Sequence, residues 1–264
     1  MMTDDQKATY RRDGFVYCPD LLGAENARAM QDEVQTILGN PEDSQRTILE
    51  KDGQTPRTIL NPQLWNPLFA RLTRHPDLLD RATALLGEDV YAWQMGINCK
   101  QAFNGDIWFW HQDYPAYFID DHIPTPRMVN VLIFLDDVNP HNGPLMMVPG
   151  SHRYEDKNPQ AADEGTSYTF RYTDRAVIEA EVRRGGIEAP TGPAGSVIFM
   201  DVNTLHGSAA NLSPWPRRLI TLTMNAISNT STTPSVRPRH IVPDDRDATP
   251  LQPLKSTSLL ETCE

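Results

Sequence analysis

The sequence predicts a mainly β protein, a sandwich or barrel, with a group of helices ahead of it in the chain. Short apolar, β-rich segments dominate from about residue 89 onward, whereas helical periodicity dominates before it. The chain has 264 residues, of which 39% are hydrophobic, and all-β domains of this size often remain undivided. We therefore expect one domain with a mainly helical part (1–88), a β core (89–227) and an extended, proline-rich C-terminal arm (228–264).

Three helices are predicted in the N-terminal part. Residues 4–12 have a helical pattern, with Thr3 as a possible N-cap and Gly14 as a stop signal. Residues 24–38 carry apolar side chains at a spacing of three to four residues. The segment PDLLDRATALL (76–86) is the third helix. Glycine follows or ends each of the three, as is common at helix C-termini.

The predicted strands are short and are separated by proline, glycine, asparagine and aspartate. They are VYAWQMGINCK (90–100), MVNVLIFLDDV (128–138), PLMMVPG (144–150), GSVIFMDV (195–202) and RLITLTMNAI (218–227). Between them, residues 154–174 are polar and weakly patterned. This segment is either a lid over a binding site or a surface loop, and the sequence leaves both interpretations open.

Charge and cysteine content exclude several classes of function. With 24 basic against 35 acidic residues the net charge is −11, which disfavours nucleic acid and anionic membranes as partners. The three cysteines Cys18, Cys99 and Cys263 form neither a zinc motif nor a disulfide framework. No stretch is apolar enough to span a membrane. The polar N-terminus does not resemble a signal peptide, so we expect a cytoplasmic protein. A small-molecule substrate is the expected partner, and the oligomeric state is left open.

The strongest chemical signal is the segment WFWHQDYPAYF, in which His111 and Asp113 are two residues apart. On a strand, both side chains would project from one face and could converge on a metal ion. His206, at the end of a β-rich run, is the best candidate for a third ligand. Two histidines and one carboxylate on one face of an ion leave the opposite positions open, an arrangement typical of non-haem iron(II) oxygenases.

An isolated His-x-Asp pair is weak evidence, because the chain has seven histidines. The five other histidines are weaker candidates, because they lie beside prolines, in polar loops or at helix starts. They are His75, His122, His141, His240 and, in the motif PGSHR, His152. Arg217 strengthens the assignment, because it begins the strand that follows His206 and a buried guanidinium suits a dicarboxylate. Arg218 is its rival, and strand alternation allows only one of the two to face a pocket.

Longer motifs resemble a known family. The segments NGPLMMVPGSHR (142–153) and GSVIFMDVNTLHGSAANLSPWPRR (195–218), following His-x-Asp in this order, are similar to the phytanoyl-CoA dioxygenase family, and within it to the ectoine-hydroxylase branch. The resemblance implies a double-stranded β-helix, the cupin-like jelly roll, with helices outside one sheet. It also implies an oxygenase that uses iron(II), 2-oxoglutarate and O₂.

The resemblance assigns roles to individual residues. It implies that iron(II) is bound by His111, Asp113 and His206. It implies that 2-oxoglutarate is bound by Arg217 with help from Ser208 and Asn98, and that Gln94 lies near the substrate or co-substrate. Trp110 and Tyr117 flank the metal motif and are candidates for lining the substrate pocket.

Two positions bear on the reaction. Gly96 stands where ectoine hydroxylases have an arginine, and Tyr117 where they have a tryptophan, which argues against ectoine itself as substrate. Asp113 is a carboxylate, whereas related halogenases have a small residue there, so hydroxylation is favoured. We expect hydroxylation of a free amino acid or amino-acid derivative. A larger secondary-metabolite scaffold, a metal-dependent hydrolase or isomerase, and an inert metal-binding barrel are the alternatives.

Overall fold

The protein is described here by a computed structural model, which covers residues 1–40, 42, 46–154, 159–162, 170–244, 246 and 248–260. Most of its regular structure is antiparallel sheet. The strands are β1 (Phe15–Cys18), β2 (Thr47–Leu49), β3 (Pro56–Leu60), β4 (Val90–Lys100), β5 (Trp108–His111), β6 (Met128–Phe134), β7 (Met146–Met147), β8 (Gln160–Ala162), β9 (Phe170–Tyr172), β10 (Val197–Asp201), β11 (His206–Ser208) and β12 (Arg217–Ala226). The α-helices are α1 (Asp4–Asp13), α2 (Gly23–Gly39), α3 (Pro67–Leu72), α4 (Pro76–Leu86), α5 (Tyr114–Asp121) and α6 (Arg175–Gly185).

Seven strands form a large sheet in the order β1-β10-β6-β12-β4-β3-β2. The long strands β4, β6 and β12 lie at its centre and pair antiparallel, with Arg217 opposite Lys100 and Thr223 opposite Asn130. Residues directly opposite each other on neighbouring strands share a face of the sheet. One face of the large sheet therefore carries a stripe of polar side chains across its three central strands.

A small sheet, in the order β5-β11-β7, covers that polar face. Met147 of β7 packs in one cluster with Phe134 of β6 and Leu219 of β12, which places the two sheets face to face. Two facing antiparallel sheets with a side-chain-filled interior form the jelly roll. The fold expected from the sequence is thus confirmed.

The helices cover the other face of the large sheet. Met30 and Val34 of α2 and Leu78 of α4 are buried in one cluster with Ile97 of β4 and Ile220 of β12. The alternation of polar and apolar residues along β4 and β12 therefore separates the helix-packed core from the interior between the sheets. Among the described residues, no helix is both long and apolar enough to cross a membrane.

The predicted elements are present, and the structure adds others. Thr3 caps α1 in a reciprocal capping box and Gly14 ends it, as predicted. Short strands β1, β2 and β3 were not predicted; they extend the edges of the large sheet and are only three to five residues long. The proposed lid over 154–174 lies partly outside the described residues, which show within it the short ladder β8–β9.

Candidate metal centre and co-substrate pocket

The two candidate histidines face each other across the small sheet. His111 ends β5 and His206 begins β11, and the two residues are directly opposite in the antiparallel pair. Their ring centroids are 4.1 Å apart. Each Nδ1 is engaged by a backbone carbonyl, that of Phe109 at 2.7 Å and that of Thr204 at 2.9 Å. With Nδ1 donating, each Nε2 retains its lone pair for a metal.

Asp113 reaches the histidines from a different element than the sequence suggested. The strand ends at His111, and Asp113 is the N-cap residue of α5, with helical backbone angles. Its backbone nitrogen donates to the carbonyl of Val202 at 3.0 Å, which ties the start of α5 to the loop after β10. The expectation that strand alternation aligns His111 and Asp113 was therefore wrong, although their side chains do meet.

The three side chains form a compact cluster. Nε2 of His111 lies 3.3 Å from Oδ1 of Asp113, and Nε2 of His206 lies 3.7 Å from Oδ2. The ligand atoms of all three lie within 4.8 Å of one another. The carboxylate makes no capping hydrogen bond to α5. Two imidazole nitrogens and one carboxylate oxygen converging in this way fit an iron(II) ion bound on one face.

The electrostatics of the cluster also suit a metal. Burial would raise the pKa of Asp113, but His206, His111 and a hydrogen bond from Asn130 outweigh it and lower the pKa to about 2. Burial and the neighbouring His111 lower the pKa of His206 to about 4, against the opposing effect of Asp113. At neutral pH the aspartate is therefore ionised and His206 is neutral, which are the forms that bind metals.

Arg217 supplies a buried cation that contacts β11, the strand that carries His206. It is 2% exposed, and its guanidinium donates to the carbonyl of Gly143 at 3.0 Å and to Oγ of Ser208 at 3.3 Å. No carboxylate of the described chain forms an ion pair with it. Burial lowers the pKa of Arg217 to about 10, only partly offset by the more distant Asp136. A buried guanidinium without a carboxylate partner fits the binding of an anionic ligand.

Arg218 has a different environment. It forms a two-pronged ion pair with Asp136, with N–O distances of 2.9 Å and 2.5 Å. Its backbone nitrogen also donates to the same carboxylate at 2.7 Å. Both side chains are about nine-tenths buried. Arg218 is therefore already neutralised, and of the two arginines only Arg217 is left to bind an anion.

The polar face of β4 extends from Arg217 toward the interior. Lys100 lies opposite Arg217, and Asn98 lies two residues further along the same face. Asn98 accepts from Thr58 at 3.0 Å and donates to Thr221 at 3.4 Å. Gln94, also on this face, donates to the carbonyl of Ile241 in the C-terminal arm at 2.9 Å.

The two aromatic candidates lie in different places. Trp110 precedes His111 on β5 and therefore points to the opposite face, where its ring packs over Gly207. Tyr117 is buried on α5, with its ring centroid 4.6 Å from that of Trp93 in an edge-to-face pair. The guanidinium of Arg237, from the C-terminal arm, lies 5.9 Å from the centre of the Tyr117 ring. The structure thus does not bring Trp110 to the metal cluster.

Two buried polar residues of this site were not predicted from the sequence. Asn130 lies inside the apolar run MVNVLIF and donates to Oδ2 of Asp113 at 2.6 Å. Lys100 is 2% exposed, and its ammonium nitrogen donates to the carbonyls of Asp106 and Ala209, each at 2.6 Å. A lone polar residue within an apolar strand was the available signal for Asn130. No comparable signal marks Lys100, because lysine at a strand end is common.

Comparisons with known proteins agree with this geometry. The family model described as phytanoyl-CoA dioxygenase (PhyH) matches residues 10–219. The ectoine dioxygenase of Bordetella bronchiseptica is 34% identical over 273 aligned residues, covering 98% of this chain and 88% of that protein. The L-proline trans-4-hydroxylase of Streptomyces griseoviridis is 32% identical and covers 97% of both chains.

The structural comparison gives the same relationship. The crystal structure of EctD from S. alaskensis with 2-oxoglutarate and 5-hydroxyectoine superposes with a TM-score of 0.84 at 30% identity, covering 96% of this chain and 87% of that one. The same enzyme with bound Fe superposes equally well. The chain therefore belongs to the phytanoyl-CoA dioxygenase family of iron(II)- and 2-oxoglutarate-dependent oxygenases.

Proposed function

We propose that this dioxygenase hydroxylates an unactivated C–H bond of a free amino acid or an amino-acid derivative. The observation that carries the proposal is the cluster of His111, Asp113 and His206, whose ligand atoms lie within 4.8 Å of one another. It is joined by the guanidinium of Arg217, which has no carboxylate partner among the described residues and contacts the strand of His206 through Ser208. A metal-dependent hydrolase or isomerase would need the first feature but not the second. A site for a metal and a dicarboxylate together is what 2-oxoglutarate chemistry requires.

Each group of site residues has its own role in the proposed reaction. Iron(II), once bound with 2-oxoglutarate and O₂, supplies the oxidising power needed to break an aliphatic C–H bond. His111, Asp113 and His206 would hold the ion and would leave room for the co-substrates to bind it. Arg217, which donates a hydrogen bond to Ser208, would pair with the far carboxylate of 2-oxoglutarate and so fix the orientation of the co-substrate. Asp113 keeps a carboxylate in the ligand set, which favours hydroxylation over halogenation.

The substrate class rests on the relatives and on the interior face of β4. Ectoine and L-proline, named for the two similar enzymes, are a cyclic amino-acid derivative and a free amino acid. The interior face of β4 carries Gln94 and Asn98 but has Gly96 between them, where a Cβ would meet only Thr58, at 3.5 Å. The arginine expected there in an ectoine hydroxylase is missing. We therefore expect another small amino acid or amino-acid derivative, rather than ectoine, to be the preferred substrate.

The test is succinate release from 2-oxoglutarate with iron(II) and ascorbate. The panel holds free L-amino acids including L-proline, N-substituted amino acids, and ectoine. We expect one member to stimulate succinate release and to gain a hydroxyl group detectable by mass spectrometry. Asp113→Ala should abolish both signals, because it removes a metal ligand. Glu25→Ala, at an exposed site on α2, is the matched acidic control and should retain both.

The proposal fails at two levels that the assay separates. Full turnover by Asp113→Ala would show that the metal assignment is wrong. A wild-type enzyme that releases succinate slowly without any panel compound, and is stimulated by none, would keep the oxygenase and contradict the amino-acid substrate. Larger scaffolds would then be tested.

A further inference from the structure

Asn130 connects the metal ligand Asp113 to the centre of the large sheet. It lies in β6, is fully buried, and its amide nitrogen donates to Oδ2 of Asp113 at 2.6 Å. On its other side, the hydroxyl of Thr223 in β12 donates to the amide oxygen of Asn130 at 2.7 Å. Asn130 and Thr223 are directly opposite in the antiparallel pair of β6 and β12. Two rigid strands therefore hold one side of the carboxylate.

The direction of these hydrogen bonds follows from chemistry. An ionised carboxylate only accepts hydrogen bonds, so the nitrogen of the Asn130 amide must face Asp113. The amide oxygen must then face Thr223, and the single hydroxyl hydrogen of Thr223 is committed to it. Every donor in this series points toward Asp113, and aligned hydrogen bonds of this kind reinforce one another.

We propose that Asn130 and Thr223 are positioning residues that hold the Asp113 carboxylate in a single orientation for the metal. This rests on the proposed role of Asp113 as a ligand. Asn130 engages Oδ2 and leaves Oδ1, which lies 3.3 Å from Nε2 of His111, free of hydrogen bonds from it. A carboxylate held in this way offers one oxygen rather than two. An ion bound there would then have positions left for 2-oxoglutarate and O₂.

The structure explains why Asp113 needs this support. It is the N-cap residue of α5 but makes no capping hydrogen bond, so the helix does not restrain its side chain. The ligating histidines are each fixed through Nδ1 by a carbonyl of their own strand or loop. Asn130 fixes the orientation of the Asp113 carboxylate, as those carbonyls fix the orientation of the two imidazole rings. Groups that orient a metal ligand in this way are often worth about 10- to 100-fold in metal affinity.

The experiment compares two substitutions at Thr223 in the full-length protein. Thr223→Val keeps the shape but removes the hydroxyl, so Asn130 loses its donor and can rotate. Thr223→Ser restores the hydroxyl. We measure the iron(II) dissociation constant by anaerobic calorimetry without co-substrate, and then the visible charge-transfer band after adding 2-oxoglutarate. Thr223→Val should weaken iron(II) binding about 10-fold or more and shift the band, and Thr223→Ser should return both toward wild type.

A matched control separates positioning from stability. Thr221→Val is the same substitution two residues away on the same strand, where the hydroxyl accepts from Asn98 instead. It should leave iron(II) affinity unchanged. Equal iron(II) affinity in wild type, Thr223→Val and Thr223→Ser would overturn the positioning role while leaving the proposed function intact. A wild-type protein that does not bind iron(II) would instead overturn the proposed function itself.

Discussion

Two adjacent arginines illustrate how environment assigns different roles to one residue type. Arg217 and Arg218 follow each other at the start of β12 and project to opposite faces. Arg218 meets Asp136 and forms a buried ion pair, whereas Arg217 meets a carbonyl and a hydroxyl. The alternation of side chains along the strand predicted that only one of the two arginines would face the pocket. It could not identify which one, because Asp136, the partner of Arg218, lies 82 residues away in sequence and its position depends on the folded sheet.

Substitutions at these two arginines should have different effects, one on co-substrate binding and the other on stability. Arg217→Met should raise the KM for 2-oxoglutarate by about 10- to 100-fold, because a charge-assisted pair with its carboxylate is lost. Its melting temperature without co-substrate should fall little, since an unpaired buried charge is removed. Arg218→Met should destabilise the protein by about 3–5 kcal/mol, since Asp136 is left buried and unpaired. Steady-state kinetics and thermal unfolding of both variants measure this, and reversed effects would exchange the two roles.

The buried side chain of Lys100 predicts how the stability of the protein depends on pH. Burial, with a contribution from Arg217, lowers the pKa of Lys100 to about 6 in the folded protein, from 10.5 for an unperturbed lysine. Between these two values the unfolded chain binds more protons than the folded one. Stability should therefore rise with pH across this window. Lys100→Met removes that contribution.

Urea unfolding of wild type and Lys100→Met at pH 6.5, 7.5 and 8.5, without ligands, tests this. The stability of the wild type relative to the variant should increase at each step. Because the comparison is a difference between two proteins, groups that titrate alike in both cancel. A relative stability that stays constant with pH would show that the pKa of Lys100 is not shifted, and one that falls with pH would show that it is raised.

At the scale of elements, the close pairing of β5 and β11 brings His111 and His206 together. A Cβ added at Gly207, between His206 and Ser208, would lie 3.0 Å from the carbonyl oxygen of Trp108 and 3.3 Å from Cα of Trp110. Both are backbone atoms, so the strands themselves would have to separate. Glycine at this position is thus what permits the approach of the two histidine-bearing strands.

Gly207→Ala should therefore reduce iron(II) affinity and cost about 1–3 kcal/mol of stability through overpacking. Gly96→Ala is the control, because a Cβ there meets only the methyl carbon of Thr58 at 3.5 Å, an ordinary contact. Its iron(II) affinity and melting temperature should stay close to wild type. Anaerobic calorimetry and thermal unfolding compare the two. If Gly207→Ala binds iron(II) as tightly as Gly96→Ala, the spacing of β5 and β11 is not critical.

The elements that could be predicted from sequence are those with local signals. α1 carries its capping box and closing glycine within a dozen residues, and β4, β6 and β12 are long enough to show their patterns. By contrast, α5 begins at the metal motif, where His111 and Asp113 were predicted to lie together on a strand. The triad could be proposed from residue types, but the role of Asn130 depends on the pairing of distant strands, and no local pattern contains it.

At the scale of the whole molecule, the C-terminal arm joins parts that are far apart in sequence. Leu259 is 3% exposed and belongs to the core between the helices and the large sheet. Near it, the carbonyl of Thr257 accepts from Asn26 of α2 and contacts the ring of buried His75, before α4. Earlier in the arm, the carbonyl of Ile241 accepts from Gln94 on the interior face. The arm therefore contacts both cores, and we expect the protein to unfold as one cooperative unit.

Substitutions at two neighbouring leucines test whether the arm unfolds together with the rest of the protein. Leu259→Ala should cost about 2–5 kcal/mol, which for a chain of this size is a fall in melting temperature of about 5–15 °C. Leu260→Ala is the control, because Leu260 is 57% exposed and such surface changes are usually small. Calorimetry should show a single transition for both variants, because the arm contacts both the helix-packed core and the interior between the sheets. A second transition in Leu259→Ala would mean that the arm and helices unfold separately from the jelly roll. In that case iron(II) should still stabilise the later transition, since the proposed metal ligands all lie in or beside the small sheet.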